Sequence, residues 1–277
     1  MRIAICSRTD RPAAIDAAAS SAKRLRGDGH DVREVALGSD ALAAQIEGAQ
    51  VVCVFGGDGT MLRAARQIAP LGVPLLGVNL GRLGFLTGTS VDLFDGTMAE
   101  IVAGRYSCED RTVLEATVTR SGSRLHHVHA LNDVVIARGA QVRAIHIDVR
   151  IDAEPFTTYW ADGIIVATAT GSTAYAMSVG GPLMLPTAQD MVIVPIAPHL
   201  SFGNAVVLAS DQRVSLEVLD EPTRISVDGQ EEHDLRAGDR IDVRRSEVVA
   251  RFVRTATMRP FLPLLRQKIL KEGDLTP

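Results

Sequence analysis

Short apolar runs alternate with stretches of helical spacing along the first part of the chain. The runs predict strands at Ile3–Cys6, Val32–Ala36, Val51–Phe55 and Leu75–Val78. The periodic stretches predict helices at Pro12–Leu25 and Ala41–Ile46, over the segment with Met61, Leu62, Ala65 and Ile68, and at Leu93–Val102. Apolar strands separated by helices are typical of a parallel sheet with helices on its faces. The fold class predicted for residues 1–105 is therefore a parallel α/β domain.

Beyond Tyr106 the pattern changes to one strand after another. Strands are predicted at Val113–Thr119, His127–Ala137, Ala144–Ile151, Ile164–Ala167, Val192–Ile196, Val214–Val218 and Ile241–Val243. These predict a C-terminal β-rich, β-sandwich-like domain over residues 106–257. Helical spacing from Met258 to Leu270 predicts that residues 258–277 return to the first domain.

Composition and charge narrow the class of protein. With 277 residues, 46% of them hydrophobic, the chain can bury the cores of two domains. The net charge of −4 and scattered basic residues predict neither a nucleic-acid partner nor an anionic membrane surface. The first residues are too short an apolar run for a signal peptide, which predicts a cytoplasmic protein. Three cysteines without a CxxC pair argue against a cysteine metal site or a structural disulfide.

The segment Gly56-Gly57-Asp58-Gly59-Thr60 lies between a predicted strand and a predicted helix. Glycines at such a corner let backbone N–H groups approach an anion, and the helix N-terminus adds partial positive charge. Asp58 is unexpected beside phosphates unless it removes a proton from an attacking hydroxyl or holds a metal ion. A plain tight turn with Thr60 capping the helix is the alternative.

Polar residues later in the chain form three further candidates. After Asp162-Gly163 and an apolar run come the hydroxyl-bearing residues Thr168, Thr170, Ser172, Thr173 and Tyr175. They could bind a ribose, an amide or an adenine edge, or simply begin a helix. Asn132-Asp133 either ends a strand or faces a polar ligand, because such groups are costly to bury unpaired. Asp228-Gly229 is most simply a hairpin turn.

The histidines His126, His127 and His129 include an HxH pattern that can indicate a metal site. No carboxylate or cysteine completes the pattern at a recognisable spacing along the chain. The sequence therefore favours a solvated strand, and no metal ligands are assigned.

Taken in order, these motifs resemble the NAD kinase family over most of the chain. The matching segments are Gly-Gly-Asp-Gly-Thr at 56–60, Gly-Arg-Leu-Gly-Phe-Leu-Thr at 81–87, Leu-Asn-Asp-Val-Val at 131–135, Asp-Gly at 162–163, Thr-Gly-Ser-Thr-Ala-Tyr at 170–175, Gly-Gly-Pro at 180–182 and Val-Asp-Gly-Gln at 227–230. Lipid kinases related to diacylglycerol and sphingosine kinases, and phosphofructokinases, carry a motif similar to the first. The run at 170–175 together with the asparagine–acid pair is specific.

The resemblance implies transfer of a phosphoryl group from ATP or polyphosphate, with Mg²⁺, to the 2′-hydroxyl of the adenosine ribose of NAD. It also implies a site in a cleft between the domains and a homodimer or homotetramer in which a neighbouring subunit completes the dinucleotide site. Asp58 would be the general base. The residues implied to bind NAD are Gly57, Gly59, Thr60, Arg63, Phe85, Asn132, Asp133, Arg143, Asp162, Thr173, Ala174, Tyr175, Ser178 and Gln230.

Three departures from the family pattern bear on the acceptor. Trp160 stands where many members have arginine, Ala169 where proline is usual, and Asn204-Ala205 where an Arg-Pro pair often occurs. The alternatives are a kinase of the same superfamily acting on another nucleoside, a lipid or a sugar, and a catalytically silent dinucleotide sensor. The missing GxGxxG after the first strand disfavours a dehydrogenase.

Overall fold

The structure is a computed structural model that describes residues 1–8, 10–81, 84–139 and 143–269. The chain divides into two compact units. One comprises Met1–Asp110 with the described residues from Ala250 onward, and the other comprises Arg111–Val249. The sequence placed these divisions after residues 105 and 257. Within the described ranges, no helix combines the length and apolar character needed to cross a bilayer.

The first unit is built on parallel strands joined by helices. Its elements are β1 (Arg2–Ser7), α1 (Pro12–Gly27), β2 (Asp31–Glu34), α2 (Leu42–Ile46), β3 (Val51–Phe55), α3 (Asp58–Ile68), β4 (Leu75–Asn79), β5 (Thr89–Ser90) and α4 (Phe94–Val102). The strands pair in the order β2, β1, β3, β4, and each pairing is parallel. This confirms the parallel α/β class.

The core of the first unit explains why its strands have continuous apolar sequences. Every residue of β3 and β4 is buried, because helices cover both faces of the sheet. Phe55 and Phe94 pack with ring centroids 5.2 Å apart within this core. Cys6 is buried in the same sheet, and burial raises the pKa of its thiol to about 12, so it is an inert core residue.

The second unit is formed almost entirely of strands. Its elements are β6 (Ser107–Arg120), β7 (Ser123–Ala130), β8 (Asp133–Arg138), β9 (Ile145–Ile151), β10 (Glu154–Ala161), β11 (Gly163–Thr168), α5 (Tyr175–Ser178), β12 (Met191–Ile196), β13 (Val206–Leu208), β14 (Arg213–Val218), β15 (Thr223–Val227), β16 (Glu231–Leu235) and β17 (Arg240–Arg254). The divisions between the two units fall inside the long strands β6 and β17. The last helix, α6 (Phe261–Ile269), belongs to the first unit, whereas Leu270 of the predicted helix lies outside the described residues.

Two sheets of the second unit share one hydrophobic core. One sheet runs β10, β9, β14, β17, β6, β7, and the other runs β13, β12, β11, β8, β15, β16. Alternate residues such as Leu114, Val134, Ile164 and Leu216 face each other in the shared core. A second apolar cluster covers the opposite face of β8, β11 and β12. This confirms the β-rich class and explains the unbroken apolar runs in those strands.

The predicted strand from His127 to Ala137 is wrong as a single element. The chain leaves β7 at Ala130, turns through Leu131 and Asn132, and enters β8 in the other sheet at Asp133. The backbone N–H groups at this turn bind a side chain instead of a neighbouring strand, as described below. The asparagine–acid pair therefore marks a change of sheet.

Candidate functional site

The glycine corner at the end of β3 is shaped by close packing. The backbone N–H of Gly56 donates to the carbonyl of Val78 at 3.0 Å, and an added Cβ at Gly56 would collide with the side chain of Thr60. Gly57 is the extended N-cap residue of α3, whose first helical residue is Asp58. Thr60 is buried and makes no capping hydrogen bond, so the plain-cap interpretation does not account for this corner. Gly57 and Gly59 are exposed at the start of the helix, where the helix N-terminus attracts anions.

The Asp58 carboxylate is held by the second glycine-rich segment. Its Oδ2 accepts a 2.8 Å hydrogen bond from the backbone N–H of Phe85, and its Oδ1 accepts one of 3.0 Å from that of Leu86. A Cβ on Gly84 would overlap the carboxylate, so glycine at this position lets the carboxylate keep its place. The sequence placed both glycine motifs at strand ends but did not reveal this contact. Arg82 and Leu83 of the second motif lie outside the described residues.

The hydrogen bonds to Asp58 fix its orientation without using all its acceptor capacity. A carboxylate has about four lone-pair sites, so each oxygen can accept a further hydrogen bond. The side chain is half-buried, which leaves it reachable by a substrate hydroxyl. This arrangement can position a carboxylate for proton transfer beside a helix N-terminus that attracts phosphate.

Two other candidate binding residues, Arg63 and Phe85, lie in the first unit. Arg63 is exposed on α3, five residues after Asp58. Phe85 is half-buried, with its ring 6.1 Å from that of Phe261 and the Lys268 Nζ 4.8 Å from its centroid. Helix α6 thus packs beside the ring that the resemblance assigns to adenine binding.

A buried polar corner in the second unit is organised by Asp228. Its Oδ1 accepts hydrogen bonds from the backbone N–H groups of Asn132 at 2.7 Å and Asp133 at 3.2 Å, and its Oδ2 accepts one from Leu131 at 3.0 Å. Asp228 and Gly229 have positive φ angles of 52° and 62° as the central residues of the turn that the Gln230 N–H closes on the Val227 carbonyl. The hairpin expectation for Asp228 is therefore confirmed, and its carboxylate also serves as an anchor that turn chemistry alone did not predict. Gln230 follows in the same turn.

The hydroxyl-rich segment is bonded to this corner. Thr168 Oγ1 donates to the carbonyl of Leu131 at 2.6 Å and accepts from the N–H of Gly171 at 3.1 Å. A Cβ on Gly171 would collide with the carbonyl of Asn132. Arg111, which the sequence reasoning did not single out, is buried and donates from Nη1 to Thr170 Oγ1 at 3.2 Å. These contacts join residues far apart in sequence into one polar cluster.

Burial changes the acidity of Asp133. The side chain is 5% exposed, and desolvation, reinforced by the nearby Asp228 carboxylate, raises its pKa to about 7. Asp133 can therefore either donate or accept a hydrogen bond near neutral pH. Such a group suits a ligand with both donor and acceptor atoms.

The remaining candidates fall into two places. Thr173 donates to the carbonyl of Thr170 at 3.1 Å, and Ala174, Tyr175 and Ser178 follow it with partial or full exposure. These residues follow the polar cluster directly along the chain. Asp162 precedes the other end of β11, about 20 Å along the chain from Thr168 at the usual rise per residue.

Asp162 and Arg143 have partners of their own in that second place. The carboxylate of Asp162 pairs with Arg138 at 3.0 Å. Arg143 is exposed and borders Asp220. Asp162 lies between β10 and β11, and Arg143 lies before β9, so both are outside the segments that form the polar cluster.

Trp160 also lies away from the polar cluster, near the end of β10. Its ring lies parallel to that of His146 with centroids 5.9 Å apart, and 5.3 Å from that of His199. The residue thus stacks on rings of its own unit, and it is 41% exposed. Asn204 is exposed and Ala205 half-buried in the segment before β13.

A carboxylate anchored at a glycine-rich helix start, in a chain with a second unit of paired β-sheets, defines the class as a nucleotide-dependent phosphotransferase. Family models give the same assignment more specifically. Residues 9–106 match the ATP-NAD kinase N-terminal domain, and residues 131–255 match the ATP-NAD kinase C-terminal domain. The chain belongs to the ATP-NAD kinase family.

Individual proteins with similar sequences agree with the family. The chain is 38% identical to an NAD kinase of Symbiobacterium thermophilum, over 97% of this chain and 98% of that protein. It is 43% identical to an NAD kinase of Aromatoleum aromaticum, over 80% of this chain and 74% of that protein.

Solved structures share the fold. An NAD kinase from Archaeoglobus fulgidus in complex with ATP aligns with a TM-score of 0.73 at 26% identity, over 92% of this chain and 94% of that one. The yeast NADH kinase complexed with NADH aligns with a TM-score of 0.85 over 100% of this chain and 90% of that one. At 24% identity, the second likeness concerns the fold alone.

Proposed function

We propose that this chain transfers a phosphoryl group from ATP to the 2′-hydroxyl of the adenosine ribose of NAD, which yields NADP and ADP. Membership of the ATP-NAD kinase family and the two NAD kinases at 38% and 43% identity support this activity. The observation that carries the mechanism is the Asp58 carboxylate, held by the N–H groups of Phe85 and Leu86 at the start of α3.

Asp58 acts as the general base in this proposal. The ribose oxygen forms a bond to the terminal phosphorus of ATP, the bond from that phosphorus to the bridging oxygen of ADP breaks, and the hydroxyl proton passes to Asp58. A carboxylate within hydrogen-bonding reach of the hydroxyl helps because the proton leaves as the new bond forms. The backbone N–H groups near Gly57 and Gly59 would bind phosphate oxygens, with Thr60 behind them and Arg63 on the same helix.

A magnesium ion would neutralise charge on the transferred phosphoryl group. Mg²⁺ is usually held by one or two carboxylates together with substrate phosphates and water. The single oriented carboxylate of Asp58, beside a phosphate-attracting corner, fits that kind of donor set. ATP would bring most of the remaining ligands.

The polar cluster of the second unit binds the dinucleotide in this proposal. Asn132 and Asp133 would bind adenosine-side polar atoms, with Gln230 beside them in the Asp228 turn. Thr173, Ala174, Tyr175 and Ser178 would shape the rest of the pocket. Phe85 would pack on the adenine.

Asp162 and Arg143 would contact a dinucleotide bound to a neighbouring subunit, with Asp162 near the nicotinamide. The separation of Asp162 from Thr168 along β11 supports this role for Asp162. A homodimer or homotetramer is consistent with the exposed rings of Trp160 and Phe202 in this unit, which are 41% and 45% exposed. Light scattering coupled to size-exclusion chromatography would give the subunit number. Three free thiols, at Cys6, Cys53 and Cys108, support a cytoplasmic location.

The test is an assay with purified protein, NAD, ATP and Mg²⁺, in which an NADP-dependent dehydrogenase detects the product. Polyphosphate in place of ATP tests the other donor, and NADH in place of NAD tests the other acceptor. Asp58→Asn should lower turnover about 10²-fold or more, the usual contribution of a general base. Asp16→Asn, at an exposed position on α1, is the matched control and should leave turnover unchanged.

Three results would contradict the proposal. Full turnover of Asp58→Asn would show that Asp58 is not the general base. Phosphorylation of another nucleoside, a lipid or a sugar, with none of NAD, would reassign the acceptor. Tight NAD binding without turnover of any acceptor would indicate a sensor.

A further inference from the structure

The two histidines of the HxH pattern share one face of β7 with a carboxylate from the neighbouring strand. Strand residues two apart point to the same side, so His127 and His129 lie on one face while His126 points to the other. Glu115 of β6 stands directly opposite His129 in the antiparallel ladder, and Thr117 stands opposite His127. One ring nitrogen of each histidine and a carboxylate oxygen of Glu115 all lie within 4.8 Å of one another.

We propose that His127, His129 and Glu115 bind a zinc ion on this face of the β6–β7 hairpin. Two imidazoles and one carboxylate form a ligand set that zinc takes in proteins, with a fourth position open to water. Tetrahedral coordination at about 2.0–2.2 Å needs ligand atoms closer together than 4.8 Å, and rotation of the side chains can supply the difference. His127 is exposed and the other two side chains are half-buried, so this rotation is unobstructed by a packed core.

The surroundings of the histidines favour metal binding. Thr117 Oγ1 lies 3.3 Å from His127 Nδ1, a contact that leaves Nε2 as the nitrogen for a metal. A cavity of about 520 Å³ borders Glu115 and Thr117, so water can reach the open position.

Glu115 already has a partner in Arg244, whose Nη2 lies 2.9 Å from its Oε1. The side chains of Arg244 and Glu115 are 43% and 18% exposed, so the ion pair is partly open to solvent. A carboxylate can also accept from arginine at one oxygen and bind a metal ion with the other. The ion pair is therefore compatible with the site.

The experiment is a calorimetric titration of chelator-treated, nucleotide-free full-length protein with ZnCl₂. We expect one zinc ion per chain. His127→Ala, His129→Ala and Glu115→Gln should each weaken binding by about 10-fold or more, since even outer-sphere partners of a metal contribute 10- to 100-fold. Unfolding curves without zinc would show that the variants remain folded.

His126→Ala is the matched control on the same strand. His126 faces away from the site and stacks on His233 with ring centroids 3.8 Å apart, so its removal should leave zinc affinity unchanged. Asp58→Asn should also bind zinc normally, which separates this site from the phosphate corner. Absence of zinc binding, binding that survives both His127→Ala and His129→Ala, or an equal loss in His126→Ala would overturn the proposal.

Discussion

The Asp228 carboxylate accepts a 2.7 Å hydrogen bond from the backbone N–H of Asn132, a residue 96 positions earlier in the chain. The same carboxylate binds the N–H groups of Leu131 and Asp133. One side chain in a hairpin turn therefore fixes the backbone at the point where the chain passes from one sheet to the other. Charge-assisted bonds of this kind are stronger than neutral ones.

Asp228→Asn should destabilise the protein by about 1–3 kcal/mol, because the amide replaces one acceptor oxygen with a donor that faces a backbone N–H. Asparagine tolerates the positive φ angle of this turn, so backbone strain is not expected to add to the loss. Urea unfolding at neutral pH measures the effect. We also expect a raised KM for NAD, since Asn132 and Asp133 lose their anchor.

The control for this substitution lies on the same hairpin. Asp234→Asn removes an acid whose side chain is 83% exposed and paired with Arg224, so it should cost less than about 1 kcal/mol. Equal stability of the two variants would show that the hydrogen bonds to Asp228 add no more to the free energy of unfolding than an exposed ion pair.

Asp133 should contribute stability that is lost as the pH rises from about 4 to about 7. Its folded-state pKa of about 7 lies above the ordinary value, so the folded state holds this proton more tightly than the unfolded chain. That contribution is complete below about pH 4 and is lost as the pH passes through about 7. The unfolding free energy of Asp133→Asn, measured relative to that of the unmodified protein, should therefore rise between about pH 5 and about pH 8.

The Asp234→Asn variant should keep the pH profile of the unmodified protein. Urea unfolding of all three proteins at the two pH values makes the comparison. If Asp133→Asn also kept that profile, the buried carboxylate would be ionised across the whole range, contrary to this prediction.

Strands buried on both faces were predicted from the sequence, whereas the edge strands β10 and β16 were not. The run from Ile164 to Ala167 is apolar because both sides of β11 are covered. The edge strands β10 and β16 carry many polar, exposed residues such as Glu154 and Glu232, and an apolar pattern gives little sign of them. Their pairing partners, not their own composition, determine that they are strands.

The candidate site was predictable to the same limited extent. Glycines and acids at strand ends indicated the phosphate corner, but the bond from Leu86 to Asp58 joins residues 28 positions apart and depends on how the loops fold together. The sequence did not indicate Glu115 as a partner of the HxH pattern. The register of β6 against β7 places Glu115 opposite His129, and spacing along the chain does not show that register. Contacts of this kind need the tertiary structure.

Thr168→Val should destabilise the protein by about 1–3 kcal/mol, because it removes a buried hydroxyl that bonds to Leu131 and Gly171 while keeping the side-chain shape. Thermal or urea unfolding measures the loss. Thr158→Val on the exposed side of β10 removes a hydroxyl bonded to Asp148 at 3.1 Å and should change stability by no more than about 0.5 kcal/mol. A Thr168→Val protein as stable as this control would mean that the hydroxyl does not hold the two segments together.

Gly84→Ala tests whether the second glycine motif positions the proposed base. A methyl group there would overlap the Asp58 carboxylate, so either the carboxylate or the loop must move. Turnover should fall on the order of 10²-fold, because a displaced base loses its contribution, while the protein stays folded. Gly96→Ala in α4 is the control, since nothing lies within 4 Å of the added methyl group, and it should keep full turnover. Steady-state assays of both variants with NAD and ATP, beside their circular dichroism spectra, separate displacement of Asp58 from loss of fold. Full turnover of Gly84→Ala would show that the position of the carboxylate in this structure is not the one that catalysis requires.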